Sequence, residues 1–163
     1  MNSALIQQTD GSLPPLATYF FQLGYVVSDL EVATETLGKS LGVTFRRAEG
    51  SAGPSDQLRY RGEPCTVSIL LAFANLGGIE HEIIQPLSKP SLYTDFLDSH
   101  GAGLHHAGYK IPDHDQYQRY HRLLVANGCV PLMEGRVEKD AVEVTYFDCS
   151  ACGGSVIEIV HFA

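Results

Sequence analysis

Gly103-Leu-His-His-Ala-Gly-Tyr-Lys-Ile-Pro-Asp113 is the stretch on which the reading of this chain turns. His106, Gly108 and Lys110 alternate with Ala107, Tyr109 and Ile111, the period of a strand whose two faces differ. The odd face is apolar and suits packing against a helix. The even face carries an imidazole and then a glycine, which leaves room beside it. Asp113, behind Pro112, breaks the strand and predicts the N-cap of a following helix. Nearly the same words stand 84 positions (106 − 22) upstream, as Gln22-Leu-Gly-Tyr-Val-Val-Ser-Asp29. Gly24, Tyr25 and Asp29 recur as Gly108, Tyr109 and Asp113, and Gln22 stands where His106 stands. Two copies of one strand, each leading into a helix signal, predict a duplicated module.

Working outward, Tyr19–Val27 reads as the first strand and Asp29 as the cap of a helix. Leu30, Ala33, Leu37 and Leu41 form its apolar stripe, and Gly42 ends it. Val43–Arg47 reads as a strand, and Gly/Ser/Pro-rich Ala48–Ser55 as a loop. Leu58–Arg61, Thr66–Phe73 and Ile79–Gln85 supply further strands. Turns are expected at Gly62-Glu63-Pro64 and Leu76-Gly77-Gly78. Ser91–His100 predicts a connecting helix with Leu92, Phe96 and Leu97 inward. The second half repeats the order, with a helix over about 114–126 that places Tyr117, Tyr120 and Leu124 on one face. Strands near Val130–Leu132, Glu138–Val142, Glu143–Phe147 and Ser155–Phe162 complete it. The expectation is α+β, as tandem βαβββ modules at 18–88 and 100–163 within one domain, 18–163, after a loose tail at 1–17.

With 163 residues and 44% hydrophobic content, the chain suits one globular unit. A net charge of −8, and no basic cluster longer than Arg46-Arg47, argue against nucleic acid as a partner. The most apolar run, Val67–Leu76, is too short to span a membrane, so no membrane partner is expected. Residues 1–17 lack the basic and continuously apolar regions of a signal peptide. Cys65, Cys129, Cys149 and Cys152 are sparse and irregular, as expected of reduced thiols in a cytoplasmic protein. The lone Cys149-x-x-Cys152 pair has no second pair to complete a zinc site.

Two carboxylates stand out. Glu82 lies among Ile79, Ile83 and Ile84, and Glu158 lies inside Val156-Ile-Glu-Ile-Val160. An ionised carboxylate in such a strand is costly unless paired, hydrogen-bonded or metal-bound. Each half therefore contributes one polar residue on its first strand and one glutamate on its last. Gln22, Glu82, His106 and Glu158 form a mixed N/O set suited to a divalent ion such as Zn, Ni, Co, Mn or Fe. His105 alternates to the other face with Ala107 and Tyr109. Arg59 and Arg61, with Arg46, Arg47 or Lys89, are candidates to meet an anionic substrate.

These features resemble the vicinal oxygen chelate superfamily, the glyoxalase, bleomycin-resistance and dioxygenase fold of paired βαβββ modules in a curved, cleft-enclosing sheet. Within it, Glu82-Ile-Ile-Gln-Pro-Leu87, Gly103-Leu-His-His106 and Cys152-Gly-Gly-Ser-Val-Ile-Glu158 are similar to motifs of methylmalonyl-CoA epimerases. The resemblance implies metal ligands at Gln22, Glu82, His106 and Glu158, with Glu158 or Glu82 as the catalytic base of an α-proton transfer. It further implies a small-molecule substrate, an acyl-CoA among the candidates, and a homodimer. Gln22 departs from the His usual in the epimerases. Gln followed by Glu, His and Glu resembles some glyoxalase I lyases. A ring-cleaving dioxygenase, or a metal-free binding protein of the bleomycin-resistance kind, completes the alternatives.

Overall fold

A computed structural model describes residues 13–52, 58–137, 141–152 and 156–163. Strand β1 (Phe20–Val26) leads into helix α1 (Leu30–Leu41), then β2 (Arg46–Ala52), β3 (Arg59–Tyr60), β4 (Glu63–Pro64), β5 (Val67–Leu76) and β6 (Ile79–Pro86). Helix α2 (Leu92–His100) connects to β7 (Gly103–Lys110), α3 (His114–Ala126), β8 (Val130–Val137), β9 (Val142–Asp148) and β10 (Val156–Phe162). The helix ends follow their sequence signals. Asp29 accepts from the Val32 N–H at 3.0 Å, Asp113 from the Gln116 N–H at 2.8 Å, and Ser91 forms a capping box with Thr94. Each such cap is worth about 1 kcal/mol. Gly42 closes α1 in the left-handed conformation, φ 68°, that a side chain would resist.

All ten strands join one mixed sheet in the order β2-β5-β6-β1-β7-β10-β9-β8-β3-β4. The two repeated strands, β1 and β7, sit side by side and antiparallel at its centre. In each half the last strand returns parallel to the first, β6 beside β1 and β10 beside β7. The sheet is open and curved, so that Val67 and Leu71 on one wing and Met133 and Val144 on the other line a single cavity. Its convex face carries α1 and α3, whereas Tyr93 of α2 lines the cavity. Leu30 of α1 packs with Ala72 and Ile83, while Tyr117, Tyr120 and Leu124 of α3 pack with Ile111, Phe147 and Ile159. Cys149 is buried in that second cluster, and the side chain of Cys152 lies outside the described residues.

Three expectations change. Ala48–Ser55 reads as loop in the sequence, yet β2 continues to Ala52, paired with β5 from Arg46 opposite Phe73 to Ala52 opposite Val67, and residues 53–55 lie outside the description. An edge strand needs only backbone pairing on one side, which glycine and serine supply as well as larger residues do. β8 runs on to Val137, past the expected stop at Leu132, with a register shift at Pro131/Met133 that accommodates the proline. A separate strand at Glu138–Val142 is not seen in the described part of that segment, since Val142 opens β9; residues 138–140 lie outside the description. Of the expected tail, residues 1–12 are likewise outside it. Leu13 and Leu16 pack on the α3 cluster, and the Tyr120 hydroxyl donates to the Pro14 carbonyl.

The β3–β4 hairpin leaves the first half and pairs with β8 of the second, Arg59 opposite Glu134. Leu58 is fully buried beside Val26, Tyr93 and Met133, and Tyr60 joins the same cluster. The Tyr60 hydroxyl donates to Asp95 of α2 at 2.6 Å, and Arg61 reaches the same carboxylate at 3.1 Å. Burial and that carboxylate push the Tyr60 phenol up to about 12. The crossing thus latches the two halves together at one end of the cavity. Leu58→Ala is expected to cost about 2–5 kcal/mol in urea unfolding, the range for truncating a fully buried leucine. A loss below about 0.5 kcal/mol, the level of ordinary surface substitutions, would show that the crossing is not part of the core.

Candidate functional site

The centre of the sheet sets the site. Gln22 on β1 lies opposite Gly108 on β7, and Gly24 lies opposite His106, so each polar residue faces a glycine. The flanking strands add Glu82 next to Gly24 and Glu158 next to Gly108. The four residues singled out from the sequence therefore project from neighbouring strands into one space. The glycines make that space. A Cβ at position 24 would fall on the His106 ring, and one at position 108 would lie 2.8 Å from Glu158 Oε2 and 3.1 Å from Gln22 Oε1. His106 Nε2 stands 3.6 Å from both Glu82 Oε2 and Glu158 Oε2.

That spacing is informative. It exceeds hydrogen-bonding distance. Two donors sharing a cation at about 2.1 Å and a tetrahedral angle stand about 3.4 Å apart. Among the described residues, buried His106 Nε2 and Glu158 Oε2 have no hydrogen-bond partner, an expensive state for groups shielded from water. No three His, Cys, Asp or Glu side chains among the described residues form a ready-made metal cluster. The arrangement is a donor set gathered round one imidazole rather than a closed coordination sphere, and its chemistry fits a divalent ion.

Burial governs the charges. It holds the His106 pKa well below the usual imidazole range, with His105 acting in the same direction, so the ring is neutral. Its Nδ1 lies 3.0 Å from His105 Nδ1. If His106 is the donor of that contact, its Nε2 lone pair faces the two glutamates. Burial raises Glu82 well above the carboxylate range, helped by the charges of Glu158 and Glu80. Glu158 is pushed up to about 7 by burial, against the pull of the neighbouring Tyr146 hydroxyl. Tyr93 donates to the Tyr146 oxygen at 3.0 Å, which leaves the Tyr146 proton for Glu158, its cross-strand neighbour.

Several contributors escape the sequence reading. His105 does pack against a helix, through Tyr93 and Phe96 of α2, but its ring also touches His106. Alternation alone sends it away from the site, and the contact becomes visible only in three dimensions. Glu80 accepts a hydrogen bond from Gln22 Nε2 at 2.8 Å. It stands two residues before Glu82, so strand period would have placed it on the same face. Tyr93 and Tyr146 carried no signal. Of the basic residues, Arg46 alone of the five named from the sequence lines the cavity of about 480 Å³, with its guanidinium 5.4 Å from the Phe73 ring centre. Arg47 reaches Glu31, Arg61 Asp95, Lys89 Asp98, and Arg59 the Gly62 carbonyl.

The sequence profile of the Glyoxalase/Bleomycin resistance protein/Dioxygenase superfamily matches residues 21–146. No curated protein matches the chain. Among solved structures, methylmalonyl-CoA epimerase from Mycobacterium tuberculosis is similar at 22% identity, over 93% of each chain, with a TM-score of 0.63. The Streptomyces coelicolor methylmalonyl-CoA epimerase in complex with 2-nitronate-propionyl-CoA matches at 19% identity and a TM-score of 0.61, over 89% of this chain and 94% of that one. A hypothetical protein from Bacillus halodurans matches at 16% identity and a TM-score of 0.63, over 88% and 94%. No helix among the described residues is long and apolar enough to cross a membrane.

The interlock of Gly24 with His106 is directly testable. Gly24→Ala is expected to cost about 1–3 kcal/mol by overpacking a rigid ring and to shift the His106 imidazole resonances. Gly103→Ala, where an added methyl meets nothing within 4 Å, is its control on the same sheet. Equal stability and unmoved His106 signals in Gly24→Ala would contradict the packing described.

Proposed function

This chain belongs to the glyoxalase/bleomycin resistance protein/dioxygenase superfamily, and from that premise we propose that it is a metal-dependent isomerase or epimerase. Its reaction is the removal and return of a proton on the carbon beside a carbonyl, with acyl-CoA thioesters as the first substrate class. The observation that carries the reading is the unpartnered, buried pair His106 Nε2 and Glu158 Oε2, 3.6 Å apart, of which Glu158 lines a cavity of about 480 Å³ together with Gln22 and Glu82. Similarity to epimerases, including one solved with methylmalonyl-CoA, supports the choice of substrate.

Gln22, Glu82, His106 and Glu158 would hold the ion, Zn, Ni, Co, Mn or Fe(II). Bound there, it would act as a Lewis acid on the substrate carbonyl and offset the negative charge developing on its oxygen. Glu158 is the base in this account. A metal-bound carboxylate can shift off the ion to take a proton, and the Tyr146 hydroxyl fixes its orientation. Glu82, on the other side of His106, is the second carboxylate able to carry a proton. The walls of the cavity exclude water from the acyl portion, while its volume leaves a nucleotide-sized group outside. Arg46 meets an anionic group of the substrate at the rim. The expected assembly is a homodimer acting in the cytoplasm.

The donor sequence Gln, Glu, His, Glu supports a second reading as a glyoxalase I-type lyase, because Gln22 stands where the epimerases usually carry His. Dioxygenase chemistry, which usually combines two histidines with one carboxylate, fits the set less well.

Protein purified without chelator is expected to carry about one divalent ion per chain by elemental analysis, and His106→Ala to lose it. The activity test is deuterium wash-in to 2-substituted acyl-CoA esters. Glu158→Gln is expected to slow exchange by about 10²–10⁴-fold. Exchange that survives metal removal would overturn the mechanism. Inert thioesters, with isomerisation of an α-oxoaldehyde–thiol adduct instead, would establish the lyase reading.

A further inference from the structure

Gln22 differs from the two carboxylates in having two chemically opposite ends. An amide presents either an oxygen, which can hold a cation, or an NH₂ group, which repels one. Carboxylates pose no such choice, and a neutral imidazole, with one N–H and one free nitrogen, poses it as a choice of tautomer. The fold must therefore specify which end of Gln22 faces the cavity. Glu80 is its nearest neighbour across the parallel β1–β6 pair, and Gln22 Nε2 donates to Glu80 Oε1 at 2.8 Å. The opposite end, Gln22 Oε1, enters the space above Gly108 that it shares with Glu158 Oε2. A carboxylate only accepts hydrogen bonds, so it selects the NH₂ end and leaves the oxygen for the donor set.

The two halves of the molecule solve this problem differently. By register, Glu80 stands beside Gln22 as Val156 stands beside His106. The equivalent position in the second half is therefore apolar, and His106 takes its orienting contact from His105 instead. Glu80 lines the cavity but is two residues removed from Glu82, the carboxylate that approaches His106.

We propose that Glu80 is a positioning residue that commits the Gln22 amide to present its oxygen to a bound divalent cation. The inference rests on the metal-dependent reading and assigns to Glu80 a role separate from ligation and from proton transfer. Loss of an orienting partner typically weakens metal binding by about 10–100-fold.

The experiment is a double-mutant cycle read as the Kd for Zn²⁺, measured on metal-stripped protein by competition with a chromophoric chelator. Glu80→Leu is expected to weaken Zn²⁺ binding by about 10–100-fold in the presence of Gln22 and by less than about twofold in a Gln22→Ala background. Side-chain amide spectra of metal-free protein provide a second readout, in which the Gln22 NH₂ signals move in Glu80→Leu. If Glu80→Leu does not fold, Glu80→Gln takes its place in the cycle. It keeps the volume but allows either amide end to face Gln22, and its loss of affinity should likewise vanish with Gln22→Ala. Unchanged Kd, or an equal loss in both backgrounds, would overturn the role of Glu80 while leaving the metal site standing. Wild-type protein that binds no Zn²⁺ would remove the metal reading and this inference with it.

Discussion

Two hydrogen atoms make the centre of this protein possible. Gly24 has only hydrogen where the His106 ring lies, and Gly108 has only hydrogen where Glu158 and Gln22 converge. Because the two glycines occupy equivalent places in the repeat, antiparallel pairing of β1 with β7 sets each opposite a polar residue of the other half. A slip of one residue would turn these side chains to the helix-covered face and bring apolar ones inward. The register of the central pair, the curvature of the sheet and the gathering of donors are thus one constraint.

Much of the fold was legible because it depends on local signals. Asp29 with Gly42, and Asp113 with the stripe of Tyr117, Tyr120 and Leu124, mark two helices whose ends the structure reproduces. The glycine pair at 77–78 locates the β5–β6 turn. What was not legible is non-local. The pairing of Gly/Ser-bearing β2 with β5 is decided by the partner strand, and the docking of β3 on β8 by a hydrophobic cluster that both halves build. No pattern within either segment encodes these contacts.

The same division holds at the site. Gln22 and His106 emerge from the internal repeat, and Glu82 and Glu158 from the cost of charge in apolar strands. Residues that orient them are harder to read. His105 reaches His106 although alternation sends them apart, because the β1–β7 register shifts between Gly24 and Tyr25 and skips His105, and the two rings meet edge to face, 5.2 Å between centres. Tyr146 earns its place only by lying across from Glu158. Glu80 breaks the symmetry of the halves, so comparing the two repeats, Glu80 against Val156, would have marked it. The sequence thus exposes the donors, and the supporting contacts require the register.

The central claim is that burial of His106 Nε2 and Glu158 Oε2 without hydrogen-bond partners reflects a cation shared with Gln22 and Glu82. Anomalous diffraction from crystals grown with one equivalent of Zn²⁺ addresses it most directly. The account predicts a single strong anomalous peak bounded by Gln22 Oε1, Glu82, His106 Nε2 and Glu158, at about 2.0–2.2 Å from each donor. Zinc bound elsewhere on the chain, with His106 Nε2 and the two glutamates unchanged, would contradict it.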